Sequence, residues 1–249
     1  MFNIEKEKNF YSEQKNWNFS DLNYSIEIIK DFNFYEKIKS YTNSNSLCLD
    51  LGTGGGENLL KNYPEVGYII ATDFSKEMLK TAKENLKKYP NKKVKFILCD
   101  NLTLNFPNET FDLISARHTN INYQKCFDIL TENGILIIEG VDSNDCFEIK
   151  QIFQRGQEFN SKENFSKREY DNLLKIGFKK IEFFPYLFNE YYKSKEDLIK
   201  LLIKTPIIND FENNNKEIEE NLLDEYIMKF NTQKGIELKR VYYGICCFK

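Results

Sequence analysis

The stretch from Leu47 to Glu57, Leu-Cys-Leu-Asp-Leu-Gly-Thr-Gly-Gly-Gly-Glu, limits what this chain can fold into more than any other segment. A short apolar run carrying Asp50 is followed at once by Gly52, Gly54, Gly55 and Gly56. A run this short, closed by glycines, reads as a buried strand rather than a helix. The glycines then turn the backbone into a helical stretch, Glu57 to Tyr63, and leave room for a partner to approach where a Cβ would block it. A strand, a glycine turn and a helix N-terminus together aim backbone N–H groups at a bound group.

The rest of the chain repeats that unit. Short β-rich runs alternate with longer helical ones: Val66 to Asp73, a helix from Lys76 capped by Ser75, Val94 to Asp100, Phe111 to Ala116, a helix from Tyr123, and Gly134 to Gly140. This order predicts an α/β fold with a parallel sheet and crossover helices. Two later runs, 179–188 and 236–248, are read as the sixth and seventh strands. We expect one domain over 1–249, with its core sheet in 45–192 and 236–249. Residues 1–40 are expected to form an N-terminal helical cap, with Trp17, Phe19, Leu22, Ile26 and Ile29 on one apolar face. Residues 193–235 are expected as a helical lid insertion, its first helix capped by Ser194 and stopped by Pro206.

Composition narrows the function. A net charge of -3 with lysines and acids interspersed argues against a nucleic-acid grip. No run approaches the roughly 20 apolar residues of a membrane span, so no membrane partner is expected. The six cysteines show no paired zinc spacing, and no metal site is read. Unpaired thiols fit a reducing compartment, which points to the cytoplasm.

Three acids stand at successive strand ends: Asp50, Asp73 and Asp100. In an open parallel sheet the ligand sits at that edge, and an acid about 20 residues beyond the first glycine meets ribose hydroxyls. An aspartate at a strand end also caps turns, so each acid alone is ambiguous. The glycine spacing fits D-x-G-x-G-x-G at Asp50, Gly52, Gly54 and Gly56. The third glycine of the dinucleotide fingerprint is replaced by Glu57.

From Leu47 through "ATDFSKEML" and "CDNLTLNFPNETFDLIS" to "ENGILIIEG", the chain resembles the class I S-adenosylmethionine-dependent methyltransferases, over residues 45–140. The resemblance implies a doubly wound, Rossmann-like, seven-stranded sheet, mostly parallel with an antiparallel last strand. It implies S-adenosylmethionine as cofactor, held by Asp50, Gly52, Thr53, Gly54 and Gly56 at its methionine end. Asp73 is then expected on the ribose hydroxyls, Phe74 and Met78 beside the adenine, Asp100 and Asn101 on its amino edge, and the backbone near Arg117 at the methionine amino group.

In the reaction this family carries out, a nucleophile displaces the sulfonium methyl in line, so a base is needed only where the acceptor must lose a proton. His118, the one histidine of the chain, follows the fourth strand and has an ordinary pKa of about 6.5. It is the candidate catalytic base. Without a proline-rich aromatic motif after that strand, a small or medium organic acceptor is expected, methylated on oxygen, nitrogen or carbon. The competing readings are a tRNA or protein methyltransferase, a non-catalytic S-adenosylmethionine-binding subunit, and a nicotinamide-dependent oxidoreductase.

Overall fold

Apolar residues one apart in each run point to opposite faces of a sheet, and that period of two builds the core. The computed structural model describes residues 21–161, 164–211 and 216–249. In chain order its elements are β1 (Tyr24–Lys30), α1 (Phe34–Tyr41), β2 (Leu47–Leu51), α2 (Glu57–Asn62), β3 (Tyr68–Asp73), α3 (Lys76–Leu86), β4 (Val94–Leu98) and β5 (Phe111–Arg117). They continue with α4 (Tyr123–Ile129), β6 (Leu130–Val141), α5 (Phe147–Phe153), α6 (Phe165–Ile176), β7 (Lys180–Tyr192), α7 (Lys195–Lys204), α8 (Lys216–Phe230), β8 (Asn231–Thr232) and β9 (Gly235–Phe248).

One sheet has the order β1-β7-β9-β6-β5-β2-β3-β4, with β8 paired to β9. Strands β4, β3, β2, β5 and β6 are parallel, and β9 runs antiparallel between β6 and β7. The seven expected strands are present with the last one antiparallel. Cys48, Leu113, Ile135, Ile137 and Cys246 face one layer with Phe34 and Ile38 of α1, Leu59 and Leu60 of α2, and Leu79 and Ala82 of α3. Their neighbours Leu49, Ile114, Leu136, Ile138 and Cys247 face the other, against Cys126 and Ile129 of α4 and Leu173 of α6. Helices cover both faces, as a parallel sheet requires.

The N-terminal expectation is corrected in part. Tyr24–Lys30 is a strand, not a helix, and adds an antiparallel edge to β7. Its β-branched Ile26, Ile28 and Ile29 suit an extended backbone, and they are 51%, 54% and 59% exposed rather than gathered on a buried face. Tyr24 stacks on Tyr192 at 5.3 Å, and the Tyr191 hydroxyl donates to Glu27 at 2.6 Å, which holds the edge in place. Trp17 and Phe19 of the expected apolar face lie outside the described residues. Pro185 lies in β7 beyond the reach of β1, which ends opposite Leu187, so β7 has a strand on only one side there.

Between β7 and β9, α7 starts at Ser194, whose hydroxyl accepts from the Asp197 N–H at 3.1 Å, as expected. Helices α7 and α8 pack with α5 and the near ends of β7 and β9 into a third apolar cluster, built on Leu198, Leu201, Leu202, Leu223 and Tyr226. Beside it lies a buried ionic group. Arg240 donates to both oxygens of Asp145 at 3.0 and 3.2 Å, to Glu190 at 2.8 Å and to the Tyr242 hydroxyl at 2.6 Å. Removing one member leaves charges buried without a counter-ion. Arg240→Met is therefore expected to lower unfolding free energy in urea by about 3–5 kcal/mol at pH 7. A loss below about 1 kcal/mol contradicts a charge-compensating role.

Candidate functional site

Parallel strands bring their carboxyl ends to one edge, and the order reverses between β2 and β5, the switch point at which open α/β sheets take their ligands. The glycine loop lies at that point. Gly52, Gly54 and Gly56 have φ of 71°, 58° and 73°, in the left-handed region open to glycine. The loop is pinned to β3 twice: Thr53 N–H donates to the Thr72 carbonyl at 2.9 Å, and Gly54 N–H donates to Asp73 Oδ2 at 2.9 Å. From α3, the Asn85 side chain donates to the Gly55 carbonyl at 2.9 Å.

These bonds amend the expectation of an open cradle of N–H groups. The amides of Thr53, Gly54 and Gly56 are spent on the protein itself. The glycines serve geometry instead. A Cβ on Gly56 would come within 3.3 Å of Ala82 and Phe96, so this position lets α2 sit against α3 and β4. A Cβ on Gly52 would lie 2.7 Å from the side chain of Thr119, which is folded over the loop.

The carboxylates are set more firmly than the sequence indicates. Asp73 is 6% exposed, and its second oxygen accepts from Ser75 N–H at 2.8 Å. Burial raises its pKa against those backbone donors. With Phe74 N–H as a third backbone donor, the carboxylate still keeps acceptor capacity for a further one. Asp50 is buried inside β2, where burial pushes its pKa up to about 6 although the Ser115 hydroxyl donates to it at 2.7 Å. The Thr53 hydroxyl lies near Asp50 but off hydrogen-bond geometry, a buried polar atom without a partner. Asp100 stands two residues beyond β4 and accepts from Leu102 N–H at 2.9 Å. Asn101 accepts from the Thr72 hydroxyl at 3.0 Å and donates to Thr119 at 3.1 Å, so it joins β3, β4 and the loop after β5. Phe74 is 37% exposed, whereas Met78 is buried in α3 at 2%. Of the two, Phe74 is the accessible apolar surface at the tip of β3.

Arg117 ends β5, and His118 follows with φ of 54°. His118 Nε2 lies 3.1 Å and Arg117 Nη1 3.5 Å from Glu139 Oε1 on β6. The His118 ring meets Tyr242 edge-on, with centroids 4.9 Å apart. Although 32% of the side chain reaches solvent, the surrounding protein desolvates the ring and lowers its pKa, with Glu139 opposing and Arg117 assisting. A shallow cavity of about 470 Å³ between α4 and α6, lined by Leu102, Ile121, Tyr123 and Asn172, borders this edge without reaching the glycine loop or Asp73. Among the described residues no group of three or more His, Cys, Asp and Glu is placed to hold a metal.

Residues 48–134 match the family model of a methyltransferase domain. Over this part of the chain the match supports a methyltransferase domain, consistent with the class I, S-adenosylmethionine-dependent kind. Among solved structures it is similar to a proposed methyltransferase of Bacillus halodurans C-125, at 18% identity and a TM-score of 0.56, over 86% of this chain and 98% of that one. It is also similar to a Haemonchus contortus phosphoethanolamine N-methyltransferase 2 in complex with phosphomonomethylethanolamine and S-adenosylhomocysteine (17% identity, TM-score 0.53, 86% of this chain and 52% of that one). A third is the 4+2 cyclase SpnF, at 14% identity and a TM-score of 0.53, over 86% of this chain and 80% of that one. At these identities the likeness is one of fold, and the cyclase shows that the fold hosts more than one reaction. No curated protein sequence matches the chain significantly.

In this methyltransferase domain the sequence reading missed Glu139, Ser115 and Thr119. Glu139 was within reach of the rule that singled out Asp50, Asp73 and Asp100, because it too stands near the end of an apolar strand run, Gly134 to Gly140. Ser115 and Thr119 carry no such signal.

Asp50 gives the site a pH signature. Its folded pKa of about 6 lies above the ordinary 3.8, so the folded state holds the proton more tightly than the unfolded chain. Its contribution is most favourable at low pH and is lost as pH rises from about 4 to about 6, by roughly 3 kcal/mol. Asp50→Asn removes that slope. Denaturant unfolding is expected to favour the variant over the parent by more at pH 7 than at pH 4; equal differences at both would refute the buried charge.

Proposed function

We propose that S-adenosylmethionine binds along the ends of β2, β3 and β4, and that the domain passes its methyl group to a small organic acceptor. The observation that carries this reading is Asp73: at the carboxyl end of β3 its two oxygens are locked by the Gly54 and Ser75 N–H groups, with Phe74 N–H beside them, and the carboxylate keeps acceptor capacity for a further donor. Such a carboxylate suits two adjacent ribose hydroxyls. The unpartnered Thr53 hydroxyl and the buried Asp50 suit the polar, cationic methionine end. Asp100 and Asn101 then stand at the adenine edge with Phe74 against its face, and the backbone near Arg117 meets the amino group. When bound, the cofactor supplies an electrophilic methyl on a sulfonium.

The protein's own part is alignment, exclusion of water and proton removal. His118 is the base in this reading, and its lowered pKa keeps it neutral and able to accept a proton at pH 7. Tyr186, Phe188 and Tyr242 form an aromatic wall beside it. A net charge of -3 with lysines and acids interspersed favours a small acceptor over tRNA. We assign the helices of 193–235 as a cover over the acceptor side, within one domain. Among the described residues no helix is long and apolar enough to cross a membrane. Six free cysteines fit a reducing compartment, and we place the protein in the cytoplasm.

The test is transfer of label from methyl-tritiated S-adenosylmethionine to fractionated cell extract. Label is expected in the small-molecule fraction, and His118→Ala is expected to reduce it about 100-fold to 10,000-fold at neutral pH. Label confined to tRNA, with a steep loss on added salt, would overturn the acceptor class.

A further inference from the structure

His118 is held more tightly than a loop residue needs to be. Its φ of 54° places a non-glycine residue in the left-handed region, a conformation that persists only where surrounding contacts impose it. Three contacts do so, and two come from one residue. The His118 N–H donates to the Glu139 carbonyl at 2.9 Å, and His118 Nε2 lies 3.1 Å from Glu139 Oε1. The third is the ring of Tyr242. Glu139 is itself 6% exposed, and it lies opposite Gly244 on β9 in the sheet register. A buried carboxylate needs donors, and here they are one imidazole nitrogen and the Arg117 guanidinium.

We propose that Glu139 is a positioning residue, whose carboxylate holds Nε2 of His118 as the protonated nitrogen and so makes Nδ1 the proton-accepting one. This rests on the methyl-transfer reading for the reaction served, but not for the geometry. A neutral imidazole has one donor nitrogen and one acceptor, and the carboxylate can pair only with the donor. Because the carboxylate lies against Nε2, the acceptor role falls to Nδ1. The inference deepens the acceptor class as well. A base with a fixed tautomer serves a nucleophile that carries both a lone pair and a proton, a hydroxyl or a primary or secondary amine, rather than a thioether or tertiary amine. As the acceptor lone pair takes the methyl group, the carbon–sulfur electron pair stays on sulfur and the acceptor proton passes to Nδ1.

Other charges face this pair. Arg117 and Glu139 flank it on β5 and β6. From β9 come Arg240 and Tyr242, with Arg240 neutralised by Asp145 and Glu190, and from α1 the Tyr35 hydroxyl reaches Arg117. Burial and the two arginines lower the His118 pKa, and Glu139 is the opposing influence. Glu139 in turn is pulled up by burial but held below its ordinary value by His118 and Arg117.

Because the chain has one histidine, nitrogen-15 labelling of histidine gives a single imidazole to follow by NMR. The apo protein at pH 7.5 is expected to show a protonated Nε2 and a bare Nδ1, and Glu139→Gln to lower the His118 pKa by about 1 unit. Glu139→Asp keeps the charge and is expected to restore most of that shift. A protonated Nδ1, or a His118 titration unchanged in Glu139→Gln, would overturn the proposal; the parent spectrum alone decides the tautomer if the variants fail to fold. Dialysis of the same sample against S-adenosylhomocysteine separates the two readings. The expected tautomer without cofactor uptake supports the positioning role and removes the methyl-transfer reading.

Discussion

The hydrogen bond from Gly54 to Asp73 is the joint on which the site depends. It ties the turn after β2 to the tip of β3, so the loop and the acid cannot move independently. Thr53 adds a second bond to β3 and Asn85 a third from α3, while Gly56 lets the helix that follows pack close. Charge-assisted bonds of this kind are stronger than neutral ones, and burial strengthens them further. The glycines are thus needed less for an open surface than for a backbone path that L-residues with side chains rarely follow. Bonds within the protein alone set this geometry.

Electrostatics give the edge its character. Asp50, Asp73 and Glu139 are all more than nine-tenths buried. Glu139 is compensated by Arg117 and His118, whereas Asp50 is left to a serine hydroxyl and a distant guanidinium, with a pKa near neutrality as the result. A cationic ligand placed beside Asp50 would recover part of the desolvation cost. The two acids therefore divide the work: one is dressed for internal order, the other is left short of a counter-ion. The same principle separates the Arg240 cluster, where every charge has a partner and the role is structural.

Much of this was legible in the sequence because it rests on local patterns. Strand-length apolar runs, the glycine turn and the capping serines at 75 and 194 each specify a backbone conformation within a few residues. Strand β1 was not legible: Leu22, Ile26 and Ile29 fit a helical stripe, and only the free edge of β7 decides for an extended chain. The pairing of His118 with Glu139 was not legible either, since it spans the register of two parallel strands. Exposure was not legible at the tip of β3 either: α3 buries Met78, while its neighbour in the motif, Phe74, is partly exposed.

The central claim is that the Asp73-locked loop is a socket for an adenosyl sulfonium compound. Titration calorimetry with S-adenosylhomocysteine, comparing the parent with Asp73→Ala, addresses it most directly. Stoichiometric binding by the parent is expected, with a loss of at least about tenfold in the variant, equivalent to about 1.4 kcal/mol. Absence of binding by a folded parent, or equal affinity in the variant, would contradict the account.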